Sequence, residues 1–130
     1  MTGDLRVLVV DDHPVNRLVL TEILNHLGCV VSTAEDGIEA LAASNVDHFD
    51  LVCLDRNMPR LTGDEVVSGL PRDLFVLAWS TDVTDLPGRF NGVLAKPVSI
   101  AAATDAVARA KAWRGRGEHD RAPSKLAAAG

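Results

Sequence analysis

Short apolar runs that each end in a charged residue are the feature that most constrains the fold. Three of them stand out by the residues that close them: residues 7–10 before Asp11-Asp12, residues 51–54 before Asp55, and residues 93–95 before Lys96. Runs this short and apolar are typical of strands buried on both faces of a parallel sheet. Because the carboxyl ends of such strands form one ligand-binding edge, we expect three aspartates and one lysine to meet in a shallow acidic pocket.

Strand-like runs alternate with helix-like stretches along the chain. The strands are predicted at 6–10, 30–34, 51–54, 74–79 and 93–95, and the helices at 14–27, 37–44, 64–68 and 100–113. In the second helix, the spacing of Ile38, Leu41 and Ala42 predicts the inward face, and Ser99 is a suitable N-cap for the last helix. This alternation predicts right-handed crossovers and a doubly wound parallel α/β sheet.

The length of 130 residues fits one domain, which we assign to residues 1–113. Residues 114–130 are rich in Gly, Arg, Pro, Ser and Ala without periodicity, and they are interpreted as a flexible tail or linker. No apolar stretch approaches the roughly 20 residues of a membrane span, so no membrane partner is expected. The first residues lack a secretory signal, and the expected compartment is the cytoplasm.

The charge is distributed unevenly. Residues 1–110 contain 8 Lys and Arg against 16 Asp and Glu, whereas residues 111–130 contain 5 against 2. An acidic body argues against direct nucleic-acid binding, because phosphate contacts need a basic face. Cys29 and Cys53 lie among apolar residues without metal-ligand spacing, which favours buried, reduced thiols.

The acidic residues at the strand ends admit two interpretations. One residue of the Asp11-Asp12 pair could cap the next helix while the other is solvated, or both could bind a metal ion. Three converging carboxylates repel one another, and Mg²⁺ relieves that repulsion, which favours the metal site. Asp55 is then the candidate nucleophile, because a carboxylate can attack a phosphoryl group to give an acyl phosphate.

Two further polar residues are candidates for the same chemistry. The ammonium of Lys96, between a buried strand and Pro97, could stabilise phosphoryl charge opposite the metal ion. Ser80, at the end of the fourth strand, could donate a hydrogen bond to a phosphoryl oxygen. A serine in that position is equally often a turn residue.

Over residues 5–112 the sequence resembles the receiver domain of two-component response regulators and hybrid histidine kinases. The motifs that carry the resemblance are Leu8-Val9-Val10-Asp11-Asp12, Leu54-Asp55-Arg56-Asn57-Met58-Pro59 with Gly63, Ser80, and Lys96-Pro97. The stretch 11–17 is especially similar to receivers attached to hybrid kinases.

The resemblance implies a role for each matching position and a fold. Its site residues would be the phosphoacceptor Asp55, the Mg²⁺ ligands Asp12 and (partly through water) Asp11, the backbone carbonyl of Asn57, the phosphate-pairing Lys96 and the switch hydroxyl of Ser80. It further implies a cis Lys96-Pro97 bond and a flavodoxin-like, five-stranded parallel sheet in the order 2-1-3-4-5.

The chain departs from the family in two places. Val93 stands where the family usually has Tyr or Phe, so signalling through an aromatic side chain at that position is in question. The family places a helix between the fourth and fifth strands, but Pro87, Gly88 and Gly92 interrupt that stretch here. We therefore expect this fourth helix to be short, irregular or absent.

The function expected from these residues is that of a phosphorylatable switch. A histidine kinase or histidine phosphotransfer domain would phosphorylate Asp55, and the acyl phosphate would alter a surface read by a downstream protein. Because this catalysis serves the protein's own modification, we do not expect an enzyme. One alternative is a phosphorylation-independent interaction module. Another is a metal-dependent phosphatase, which would need a second acid where this chain has Asn57.

Overall fold

A five-stranded parallel sheet forms the centre of the molecule. A computed structural model describes residues 4–58, 60–81, 85–86 and 88–129, with side chains as far as Arg114. The strands are β1 (Arg6–Val10), β2 (Val30–Ala34), β3 (Leu51–Asp55), β4 (Phe75–Ser80) and β5 (Gly92–Ala95). They pair in parallel in the order β2-β1-β3-β4-β5, which confirms the predicted topology.

Helices cover both faces of the sheet and bury its central strands β1, β3 and β4. They are α1 (Pro14–His26), α2 (Gly37–Val46), α3 (Gly63–Val67) and α4 (Ile100–Ala129). Apolar residues of α1 and α4 pack on one face, and those of α2 and α3 pack on the other. Every residue of β3 and β4 is buried, which explains why these runs carry polar side chains only at their last positions. Among the described residues, no helix has the length and apolar character of a membrane span.

Local sequence explains where most helices begin. Pro14 occupies the first turn of α1, where its missing N–H is not needed. Thr62 and Glu65 form a reciprocal capping box at α3, and Asp36 accepts the Glu39 N–H at α2. The Ser99 hydroxyl accepts the Ala102 N–H at 3.0 Å, which confirms the predicted N-cap of α4.

The inward face of α2 differs from the prediction. Ile38 is 60% exposed, Ala42 is exposed and Leu41 is half-buried, while Gly37 and Ala40 are buried. A Cβ added at Gly37 would collide with the Val66 side chain of α3. Because α2 lies this close to α3, small residues face inward and the prediction for Ile38 and Ala42 was wrong.

Helix α4 extends beyond its predicted end near Trp113, because its helical backbone continues to Ala129. Ala, Arg, Lys and Glu favour helix and allow it to propagate through this segment in spite of Gly115, Gly117 and Pro123. The assignment of residues 114–130 to a tail or linker remains a prediction.

The connection between β4 and β5 carries no helix in residues 81, 85–86 and 88–91, which agrees with the expectation for this segment. Its end is held to β4 instead, because the Asn91 N–H donates to the Val76 carbonyl and the Asn91 Oδ1 accepts the Val76 N–H. Pro59 of the motif after Asp55 and Pro87, which was expected to interrupt the fourth helix, lie outside the described residues.

Gly63 generates a prediction about stability. An added Cβ there would press against the Asp55 carbonyl oxygen and the Arg56 Cα, where α3 starts directly beside the end of β3. We expect Gly63→Ala to lower the free energy of unfolding by about 1–3 kcal/mol, measured by urea denaturation. Gly88→Ala is the control, since nothing lies within 4 Å of its added Cβ. Equal stability of the two variants would contradict the close approach of α3 to the end of β3.

Candidate functional site

Carboxylates from two strand ends converge at the carboxyl edge of the sheet. Asp11 and Asp12 follow β1, Asp55 ends β3, and one oxygen from each of the three lies within 4.8 Å of the others. Asp11 and Asp55 are buried, whereas Asp12 is exposed to solvent. The predicted meeting of the three aspartates at one edge is confirmed.

Lys96 completes the cluster from the end of β5. Its Nζ lies 2.7 Å from the Asp11 Oδ2 and 3.5 Å from the Asp55 Oδ2. The Lys96 N–H donates to the Ser80 carbonyl, and the Lys96-Pro97 bond is cis, as the resemblance implies. The side chain is 14% exposed, so this lysine is directed into the site rather than into solvent.

Backbone amides hold the two buried carboxylates in place. The His13 N–H donates to the Asp11 Oδ1 at 2.8 Å, and the Asn57 N–H donates to the Asp55 Oδ1 at 3.0 Å. The N-cap residue of α1 is His13, and no side chain caps it. The capping interpretation of the Asp11-Asp12 pair is therefore not supported, because Asp11 points to Lys96 and Asp12 lies within the acidic cluster.

The electrostatics of the site favour a divalent cation. Burial raises the pKa of Asp55 from 3.8 to about 6, with the neighbouring Asp11 adding to the rise, while the Asn57 N–H and Lys96 oppose it. With all groups ionised, three carboxylates face one ammonium, which leaves two negative charges uncompensated. Carboxylate oxygens are the ligands that Mg²⁺ prefers, so these residues fit that ion in both charge and chemistry.

The remaining two predicted residues lie at the same edge. Ser80 ends β4, one position beyond the Asp55–Trp79 pair in the β3–β4 register, and it is buried. Asn57 lies two residues past Asp55 and holds its carboxylate through the backbone N–H. The switching role of the Ser80 hydroxyl and the metal-binding role of the Asn57 carbonyl remain predictions.

Sequence reasoning missed one residue of the site. Trp79 was treated only as part of a strand, yet the Lys96 Nζ lies 4.6 Å from the centroid of its ring. Trp79 pairs with Asp55 in the β3–β4 register, so the two side chains project from the same face of the sheet. The sequence did contain a sign of this contact, because an aromatic residue stands directly before Ser80, the serine that ends β4.

The family model for the response regulator receiver domain matches residues 7–108. The chain belongs to the response regulator receiver domain family. This assignment places it among the proteins of two-component signalling.

Sequence relatives of this receiver domain are sensor proteins. The chain is 47% identical to the sensor histidine kinase RcsC of Escherichia coli over 60 residues and 47% identical to the virulence sensor protein BvgS of Bordetella pertussis over 62 residues. These stretches are 46% and 48% of this chain. They are only 6% and 5% of the two relatives, so the chain corresponds to a small part of each.

Two solved structures, one of a response regulator and one of a sensor-kinase receiver domain, share the fold. The response regulator TrrA of Thermotoga maritima, in complex with Mg²⁺ and BeF, is 30% identical with a TM-score of 0.77, over 82% of this chain and 98% of that one. A sensor-kinase receiver domain of Pseudomonas aeruginosa, with a magnesium ion in its active-site cleft, is 26% identical with a TM-score of 0.72, over 82% and 97%.

The raised pKa of Asp55 leads to a prediction about pH. In the metal-free protein the folded state holds the Asp55 proton more tightly than the unfolded state, so this group stabilises the fold below about pH 4. That contribution is lost as pH rises through about 6. Asp55→Asn should therefore be more stable than the unchanged chain at pH 7, by roughly 1–3 kcal/mol, with a flatter pH profile between 4 and 7 in urea titrations.

Asp47→Asn serves as the control for this measurement, because Asp47 is exposed at the end of α2. Its pH profile should match that of the unchanged chain. An Asp55→Asn variant with the unchanged pH profile would contradict the raised pKa.

Proposed function

We propose that Asp55 accepts a phosphoryl group, with Mg²⁺, from the phosphohistidine of a histidine kinase or phosphotransfer domain. The observation that carries the proposal is the buried Asp55 carboxylate, which lies 3.5 Å from the Lys96 Nζ and within 4.8 Å of Asp11 and Asp12, in a member of the receiver family. The Mg²⁺ described in the related TrrA and Pseudomonas aeruginosa structures supports the same cofactor here.

The transfer uses the Asp55 carboxylate as nucleophile. One of its oxygens forms a bond to phosphorus while the bond from phosphorus to the donor imidazole nitrogen breaks, and the imidazole leaves with the electron pair. The Asn57 N–H holds the Asp55 Oδ1 in a fixed direction, which reduces the freedom lost on reaching the attacking geometry. Mg²⁺, when bound by the acids, would neutralise the phosphoryl oxygens.

Lys96 supplies the positive charge on the side of β5. In the unphosphorylated chain its ammonium pairs with Asp11 and Asp55. Phosphorylation converts the Asp55 carboxylate into an acyl phosphate, and the ammonium then pairs with the phosphoryl oxygens. The Ser80 hydroxyl at the end of β4 is our candidate for the hydrogen bond that couples the phosphoryl group to the surface.

The donor needs a surface next to Asp55, and α1 offers one. The helix starts three residues after Asp11 and exposes the apolar side chains of Val15, Leu18 and Val19 to 58%, 59% and 44%. Grouped exposed apolar side chains are typical of protein contacts, so we propose α1 as the donor's contact and the cytoplasm as the compartment. The chain is proposed to be a switch for a downstream protein rather than a turnover enzyme.

Intact mass spectrometry tests the acceptor. With acetyl phosphate and Mg²⁺ the mass should rise by about 80 Da, and Asp55→Asn should abolish the rise because the amide is not a nucleophile. Asp50→Asn is the matched control, since Asp50 is a second buried carboxyl directly before β3 and far from the carboxyl edge. It should still be phosphorylated once its folding is verified by circular dichroism.

Two results would contradict the assignment. A mass gain that persists in Asp55→Asn would place the phosphoryl group on another residue. No gain in the unchanged, folded chain, with Mg²⁺ and excess donor, would favour a phosphorylation-independent interaction module.

A further inference from the structure

The indole of Trp79 lies against the active-site lysine. The Lys96 Nζ is 4.6 Å from the centroid of the ring, within the range of a cation–π contact, and Trp is the side chain that makes the strongest contacts of this kind. Trp79 is only 1% exposed, so water does not weaken the contact from the indole side. Three groups therefore surround the ammonium: two carboxylates and one aromatic face.

The strand register explains how the ring reaches this position. Trp79 pairs with Asp55 on one side and with Leu94 on the other. Side chains of paired residues project from the same face, and Lys96 follows Leu94 by two positions. The indole thus lies between the phosphoacceptor strand and the strand that carries the lysine.

The second observation is an unsatisfied donor. The Trp79 Nε1–H is buried and has no hydrogen-bond partner among the described residues. A buried donor without a partner destabilises a fold by about 1–3 kcal/mol, and an aliphatic side chain would fill this strand position without that loss. The indole belongs to the hydrophobic core, and its ring also contacts the ammonium, which an aliphatic side chain of the core would not do.

We propose that Trp79 is a positioning residue that keeps the Lys96 ammonium in the site through phosphoryl transfer. This inference rests on the proposed function. Phosphorylation replaces the Asp55 carboxylate by a phosphoryl group, and a bound cation competes for Asp11, so the ammonium has to leave both of its acidic partners during transfer. The attraction of the ring does not depend on either acid. The ring therefore keeps the ammonium in the site while its anionic partners change from the two carboxylates to the phosphoryl oxygens.

The first arm of the test measures the contact without phosphorylation. The chain has two tryptophans, so Trp113→Phe leaves Trp79 as the only indole and Trp79→Phe leaves Trp113. In the Trp113→Phe chain, Lys96→Met removes the charge and keeps the side-chain length. This change should alter the fluorescence emission of Trp79. The same change should leave the emission of Trp113 unaltered, because that ring packs on Phe75 at 5.6 Å and bonds the Asp73 carbonyl. Unaltered Trp79 emission would overturn the contact.

The second arm measures the role in transfer. With acetyl phosphate and Mg²⁺, Trp79→Leu should slow phosphorylation of the full chain by about tenfold, the equivalent of one cation–π contact. Trp79→Phe keeps a ring and should recover most of the rate, to within about threefold of the unchanged chain. The rates refer to the folded fraction, determined by circular dichroism.

The outcomes separate this inference from the function on which it rests. Equal rates for Trp79→Leu and the unchanged chain would overturn the positioning role and leave Asp55 as acceptor. If Trp79→Leu and Trp79→Phe slowed phosphorylation equally, Trp79 would act through packing, and the positioning role would again be overturned. Failure of the unchanged chain to take up phosphate would refute the function itself, and the positioning role with it.

Discussion

The burial of β3 and β4 on both faces is the constraint on which the rest of the structure depends. A strand under helices on each side admits polar side chains only where it leaves the core, and Asp55 and Ser80 occupy those last positions. Parallel pairing then brings these ends to a single edge. The acidic site follows from the way the core is built, because the ends of β1, β3, β4 and β5 bring Asp11, Asp55, Ser80 and Lys96 to the same edge.

That edge carries an electrostatic imbalance which the fold alone does not resolve. Lys96 contacts both Asp11 and Asp55, yet one ammonium cannot neutralise three carboxylates. Burial is the main cause of the raised pKa of Asp55, and repulsion by Asp11 adds to it, so both favour holding a proton on this carboxyl. A divalent cation or a change of charge at Asp55 relieves the imbalance differently. The proposed phosphorylation of Asp55 would change this balance of charge.

The sequence predicted features that depend on local pattern and missed those that depend on how elements approach one another. The five strands, the N-cap at Ser99 and the convergence of the aspartates follow from apolar runs and parallel topology. The inward face of α2 depends on its short distance from α3, which Gly37 permits and hydrophobic spacing does not encode. The contact of Trp79 with Lys96 depends on side chains from two neighbouring strands, and neither residue alone indicates it.

Two sets of contacts connect the neighbourhood of Asp55 to other elements, although Val93 provides no aromatic ring. On one side, Lys96 contacts Trp79, and its backbone N–H bonds the Ser80 carbonyl, which joins the ammonium to the end of β4. On the other, Arg56, the residue after Asp55, pairs with Asp64 of α3 at 3.0 Å and donates to the Asp85 carbonyl at 3.4 Å. This arginine links α3 to the segment that follows β4, where typical receivers have a helix. The contacts of Arg56 reach that segment at Asp85, and those of Lys96 reach the end of β4, from which the segment begins.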